Sequence, residues 1–144
     1  MVLNIFMATI IRDIEIGASA EFVWAAVRDV GNAHVRLFPG FVTEITIEPG
    51  IRHVRFATGW IVHELIVSVD DELRRIAYAS VRGRAQHHNS SMQVIPVTEN
   101  RCRILWTTDV LPDAIADSIS DILNHAIPLM VRTLEADARK SAES

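Results

Sequence analysis

The chain has 144 residues, 49% of them hydrophobic, with 14 Lys plus Arg against 18 Asp plus Glu, a formal charge of −4 and one cysteine. That length suits a single domain with one core, and the acidic balance argues against nucleic acid, which wants a basic face. With Cys102 alone there is no disulfide framework and no multi-cysteine zinc site, so a reducing, cytoplasmic setting is expected.

The first residues, Met1 to Met7, are apolar but short, without a cationic leader or cleavage site. The expectation is one domain over residues 1–144, with 1–7 an N-terminal extension or a lengthening of the first strand. Ala8 to Ile16 alternates, with Ile10, Arg12, Ile14 and Ile16 on one side, which predicts a strand. Gly17-Ala18-Ser19 breaks it. Ser19 is a good N-cap, and Glu21 suits the first turn of a helix from Ala20 to about Val30 that buries Phe22, Val23, Ala26, Val27 and Val30. Gly31-Asn32 ends that helix, and a short second one is expected over Ala33 to Phe38, before Pro39-Gly40.

Six β-rich segments follow: Val42–Glu48, Arg52–Ala57, Trp60–Val69, Arg75–Val81, His88–Val97 and Cys102–Leu111. They are separated by turn signals at Pro49-Gly50, Thr58-Gly59, Asp70-Asp71-Glu72, Arg82-Gly83 and Glu99-Asn100. Gaps this short imply consecutive antiparallel hairpins. Pro112-Asp113 opens a long helix to about Lys140. Its apolar stripe is Ile115, Ile119, Ile122, Leu123, Ala126, Ile127, Met130, Val131 and Leu134, and residues 141–144 form a frayed tail. Pro128 falls inside it, where it removes one backbone hydrogen bond and predicts a kink near Asn124. The order β, α, α, six β, long α predicts an α+β fold: a seven-stranded curved antiparallel sheet wrapped around the C-terminal helix, with two short helices between strands 1 and 2.

Several stretches together resemble the START-related, birch-pollen-allergen-like helix-grip superfamily (SRPBCC), in its bacterial polyketide cyclase/dehydrase and lipid-transport branch. They are Ala18-Ser19-Ala20-Glu21-Phe22-Val23-Trp24, Arg28-Asp29-Val30-Gly31-Asn32, Phe38-Pro39-Gly40, and Gly50-Ile51-Arg52 with Gly59. Glu64-Leu65, Asp70-Asp71-Glu72-Leu73-Arg74-Arg75, Tyr78, Met92–Pro96, and Trp106 with Pro112 continue the series. The Trp usual two residues before the proline of Phe38-Pro39 is absent. The resemblance spans about Thr9 to Ala138 and implies the fold. It implies no single activity, because this fold hosts carriers, sensors, cyclases and co-chaperone modules.

The hairpin over Arg52–Val69 has two readings. A two-residue turn at Thr58-Gly59 pairs His53 with Glu64 and puts Arg52, Val54, Phe56, Ile61, His63 and Leu65 on one face. A three-residue turn, Thr58-Gly59-Trp60, shifts the register by one, so that Arg52, Val54, Phe56, Val62, Glu64 and Ile66 share a face. Hydrophobic count slightly favours the first. The resemblance, in which the family's Arg and Glu both point inward, implies the second, which we adopt. It places Arg52 and Glu64 in an apolar wall, either as an internal ion pair or as groups that orient a ligand.

Tyr78, Ser80, His88, Ser90, Met92 and Val94 share a parity on their strands, as do Ile104, Trp106 and Thr108. Asn124, Ile127 and Met130 are the helix residues placed over this wall. Apolar surface with a few convergent polar groups is the pattern of a small-molecule pocket, although core packing explains Tyr78 and Trp106 equally well when each is taken singly.

The leading expectation is therefore a binder of a small hydrophobic ligand (lipid, polyketide-like or aromatic) between sheet and helix. One alternative is a polyketide cyclase/dehydratase-type enzyme moving protons with Glu64 or His88. The other is a protein-interaction module. No cofactor is expected, and the assembly is a monomer or homodimer. No metal site is expected either. His87 and His88 are neighbours on a strand and point to opposite faces, and His63-Glu64 lacks the second His of the zinc-protease motif.

Overall fold

The computed structural model describes residues 6–144, so most of the proposed extension lies outside the described residues. Strand β1 (Ala8–Ile16) leads into helices α1 (Ala20–Val27) and α2 (Ala33–Arg36). Strands β2 (Val42–Glu48), β3 (Ile51–Phe56), β4 (Ile61–Asp70), β5 (Arg75–Val81), β6 (His87–Thr98) and β7 (Arg101–Leu111) follow. A 3-10 turn (Asp113–Ile115) then enters helix α3 (Ala116–Glu143). The strands form one sheet in the order β1-β7-β6-β5-β4-β3-β2, and every neighbouring pair is antiparallel. It is the expected meander, with the first strand added beside the last.

Helix α1 begins as expected: Ser19 Oγ accepts from the Phe22 N–H at 3.1 Å, leaving one fewer orphan donor at the first turn. It stops at Val27, about three residues short of the expected end. The carbonyl of Val30 is turned away to accept from Arg52 Nη1 at 2.9 Å, and Asn32 bonds back to the Asp29 carboxylate at 3.0 Å. Those two contacts hold residues 29–32 outside helical geometry. At the other end α3 continues to Glu143, beyond the expected limit, because Ser141-Ala142-Glu143 contains no residue that breaks a helix. Pro128 lies within it.

The core is built from the inner faces of β1, β5, β6 and β7. Ile14, Ile16, Ile76, Met92, Val94 and Ile104 meet Val23 and Val27 of α1 and Leu123, Met130 and Leu134 of α3. Among its strand contacts α3 packs chiefly on β1, and α1 on β6 and β7. Glu135 of α3 accepts from the Gly17 amide at 2.7 Å; a Cβ at Gly17 would stand 2.9 Å from that oxygen, so a side chain there would displace the contact. Both helices thus gather at the β1 side of the sheet. The inner residues Phe56, Val62, Glu64 and Ile66 of β3 and β4 remain only half-buried.

Candidate functional site

The β3–β4 turn sets the site's geometry. Its three residues are Ala57-Thr58-Gly59, one position earlier than expected. Gly59 adopts φ +91°, a left-handed value that glycine takes without strain. The Phe56 N–H donates to the Trp60 carbonyl at 2.8 Å and closes the loop. Moving a three-residue turn by one position changes partners by two, so side-chain parity survives. Arg52 therefore stands opposite Glu64 and Val54 opposite Val62, and the six residues expected on one face share it. A bulge between Ile66 and Ser68 then turns Val69 to the inner side, opposite Ile76.

Arg52 and Glu64 form an ion pair, Nε to Oε1 at 2.8 Å, with side chains 9% and 14% exposed. Arg52 also donates to the Val30 carbonyl, and its guanidinium carbon lies 5.1 Å from the centroid of the Tyr78 ring. Tyr78 Oη accepts from the Trp106 indole N–H at 3.1 Å, and the Trp106 ring lies 5.9 Å from that of Phe38. Ser90 and Thr108, both buried, share a hydrogen bond of 2.9 Å. A connected series therefore runs Glu64–Arg52–Tyr78–Trp106, carried by four different strands. Burial, reinforced by the Glu64 charge, pushes the Tyr78 phenol far above its ordinary pKa, so it is a neutral hydroxyl at any physiological pH.

His88 is half-buried, and that burial draws its imidazole below the ordinary value. The Glu64 charge opposes the shift and His87 adds to it. Ser80 lies opposite Glu64 on the next strand. Met92, Ile104 and Met130 are fully packed core residues, Ile127 is half-buried, and Asn124 is exposed. The sequence-named residues thus divide into a polar series beneath half-buried apolar positions and a solid floor at the β1 side.

Two contacts were not visible beforehand. The Val30 carbonyl anchors Arg52; its signal was Gly31-Asn32, which ends the helix and frees that oxygen. Asp71, in the β4–β5 turn, accepts from the Trp24 indole N–H at 3.0 Å and from Arg28 Nε at 2.7 Å, tying α1 to the far edge of the half-buried region. The Arg28 contact first, then the Trp24 hydrogen bond, hold the Asp71 carboxyl below the usual carboxylate range. The basic residues before His87 are exposed, and Arg84 packs over the Trp60 ring at 5.8 Å, linking two loops. A separate recess of about 390 Å3 lies against the opposite parity of the sheet, lined by Arg75, Ala77, Asn89, Ser91, Gln93 and Thr107 among others. It belongs to the outer face.

A curved antiparallel meander closed on a long C-terminal helix, with two short helices after the first strand, defines a helix-grip protein of the birch-pollen-allergen type. The chain belongs to the polyketide cyclase/dehydrase and lipid transport family, whose model matches residues 7–144. No curated protein matches it. Its fold is similar to that of an uncharacterised Bacillus thuringiensis protein (TM-score 0.80, 17% identity, covering 88% of this chain and 98% of that one). It is likewise similar to Thalictrum flavum norcoclaurine synthase bound to a transition-state analogue (0.77, 18%, 98% and 99%). The Zhui aromatase/cyclase of Streptomyces sp. R1128 shares the same architecture (0.71, 15%, 95% and 96%). At these identities the likeness concerns the fold. None of the helices is long and apolar enough to cross a membrane, among the described residues.

Proposed function

We propose that this protein binds a small hydrophobic molecule (a lipid, polyketide-like or aromatic compound) between the inner face of β3–β6 and helix α3. The observation that carries the reading is the Arg52–Glu64 pair, set among apolar residues that the helices leave half-covered. A buried ion pair is poor value for stability compared with apolar residues of similar volume. Its position beside Tyr78, Trp106 and His88 fits a wall that orients a ligand's polar end while Val54, Phe56, Val62 and Ile66 cover its apolar body. Family membership supports the same ligand class. Apolar burial would supply about 25 cal/mol per Å2 removed from water.

The test is thermal unfolding with a saturated fatty acid and with 2-naphthol, checked by native mass spectrometry. A ligand at one hundred times its Kd adds about 2.7 kcal/mol to the folded state, a rise of several degrees for a domain of this size. No rise with either probe, and no bound species, would contradict the proposal.

One observation favours a second reading, a cyclase or dehydratase. Burial keeps His88 neutral near pH 7, so its ring can accept a proton, and the field of Glu64 would stabilise the imidazolium that forms. In that reading the wall holds a polyketide-like chain in a reactive conformer while His88 or Glu64 moves the proton. Glu64→Gln and His88→Gln should then abolish turnover of such a substrate while binding persists.

A further inference from the structure

We propose that His53 and His63, on the outer face of the sheet, form a two-histidine site for a borderline divalent transition-metal ion such as Cu2+, Ni2+ or Zn2+. The proposal is independent of the ligand reading, because it rests on the opposite face of the same strands.

The register of β3 and β4 sets His53 directly opposite His63. Their rings meet at 77° with centroids 4.9 Å apart, and the two Nδ1 atoms stand 2.7 Å from each other. Two imidazole nitrogens hold that separation only with one proton between them, since two lone pairs or two N–H groups would repel. One ring therefore donates its Nδ1–H to the lone pair of the other, and both nitrogens already meet at one place on the outer face. A metal ion would displace that proton, with His63 taking its Nε2–H tautomer and the rings turning so that both Nδ1 lone pairs converge; at about 2.0–2.1 Å each, the nitrogens need to stand only roughly 3 Å apart.

Glu48 supplies the outer support. Its Oε2 lies 2.9 Å from His53 Nε2, so the proton of His53 belongs on Nε2 and the Nδ1 lone pair is left for the site. A carboxylate behind a ligating histidine is the usual way to fix its tautomer and raise its basicity.

The surrounding charges are mixed. Glu48 and Glu44 approach from β2, Arg55 from β3 is paired with Glu44 at 3.3 Å, and Arg82 after β5 acts on Glu48. A recess of about 100 Å3 beside His53, lined by Glu44, Thr46, Arg55 and Ile61, leaves room for the ion's waters. Among the described residues no group of three or more His, Cys, Asp or Glu side chains gathers as a metal site. The protein therefore supplies two ligands and water completes the shell, which imidazole-binding ions accept. The site sits on the rungs next to Arg52 and Glu64, so a bound ion would clamp the two strands that carry that ion pair.

Isothermal titration of the tag-free full chain with NiCl2 or CuCl2 tests the proposal. One ion per chain is expected, with binding at least tenfold weaker in His53→Gln and in His63→Gln and unchanged in His125→Gln, which alters an exposed helix residue. In the unmodified protein, paramagnetic Cu2+ should broaden the ring signals of His53 and His63 before those of any other histidine, a readout that needs no variant to fold. Absence of binding, binding indifferent to both substitutions, or first broadening at His87 or His125 would overturn it.

Discussion

Arg52 and Glu64 face each other across one rung of the β3–β4 ladder, joined at 2.8 Å on a wall of mainly apolar side chains that also carries Ser80 and His88. Everything else in the candidate site is arranged around this pair: Val30 fixes one arm of the guanidinium, Tyr78 lies beneath it, and Trp106 holds Tyr78.

Removing one member of the pair should be costly and removing both much less so. Glu64→Leu leaves a buried guanidinium without its counter-charge, and we expect a loss of about 3–5 kcal/mol in urea unfolding. The double change Arg52→Met with Glu64→Leu should recover most of it. A loss below about 1 kcal/mol for Glu64→Leu would match an exposed pair instead and contradict this burial.

Tyr78→Phe should destabilise by about 1–3 kcal/mol, because the buried Trp106 N–H loses its acceptor. The phenol has a folded pKa above its unfolded value. Its contribution is therefore fully present below the unfolded pKa of about 10 and is lost as pH rises further. Spectrophotometric titration should show no tyrosinate until the protein unfolds in alkali; Tyr78 is the only tyrosine, so the signal is unambiguous.

Cys102 should be inert in the folded protein. It is buried at the start of β7, and burial pushes its thiol up to about 11. Reaction with Ellman's reagent at pH 8 should follow global unfolding, and a rate like that of a free thiol would refute this. As with Tyr78, the raised pKa means stability lost as pH climbs from the unfolded thiol value of about 8.5 toward 11.

The strand alternation exposed most of the architecture. Along β5, β6 and β7 parity marked the inner face, but along β4 the hydrophobic count leaned to the wrong side and the family pattern corrected it; the turn then lay one position early, and a two-residue change of partner leaves every side chain on its own side. What pairs across strands was harder to see. Arg52–Glu64 was expected because the family pattern supplied the register, whereas His53–His63 uses the same rung spacing and went unnoticed, since only one of the two rejected motifs included either residue. Trp106–Tyr78 and Ser90–Thr108 depend on three strands lying side by side, which no local pattern encodes. The early end of α1 had a tertiary cause, the capture of the Val30 carbonyl by Arg52 from a strand 22 residues later.

The link between α1 and the β4–β5 turn gives an acid-limb prediction. Asp71 has its pKa lowered by Arg28 and Trp24, so its contribution is present above the ordinary carboxylate pKa and is lost as pH falls through the folded value. Asp71→Asn should flatten the decline in stability below about pH 4 that the native protein shows. An identical acid limb in both proteins would mean the contact contributes nothing in solution, as exposed pairs often do.

The most direct test of ligand binding is a 1H–15N NMR titration of the labelled protein with 2-naphthol, followed at the indole N–H of Trp106 and the backbone amides of Glu64, Tyr78 and His88. Saturable shifts are expected at these inner-face groups, with the Trp60 indole, exposed at the β3–β4 turn, unmoved. Shifts confined to the outer face, at Asn89, Ser91 and Thr107, or none at all, would contradict the proposed binding.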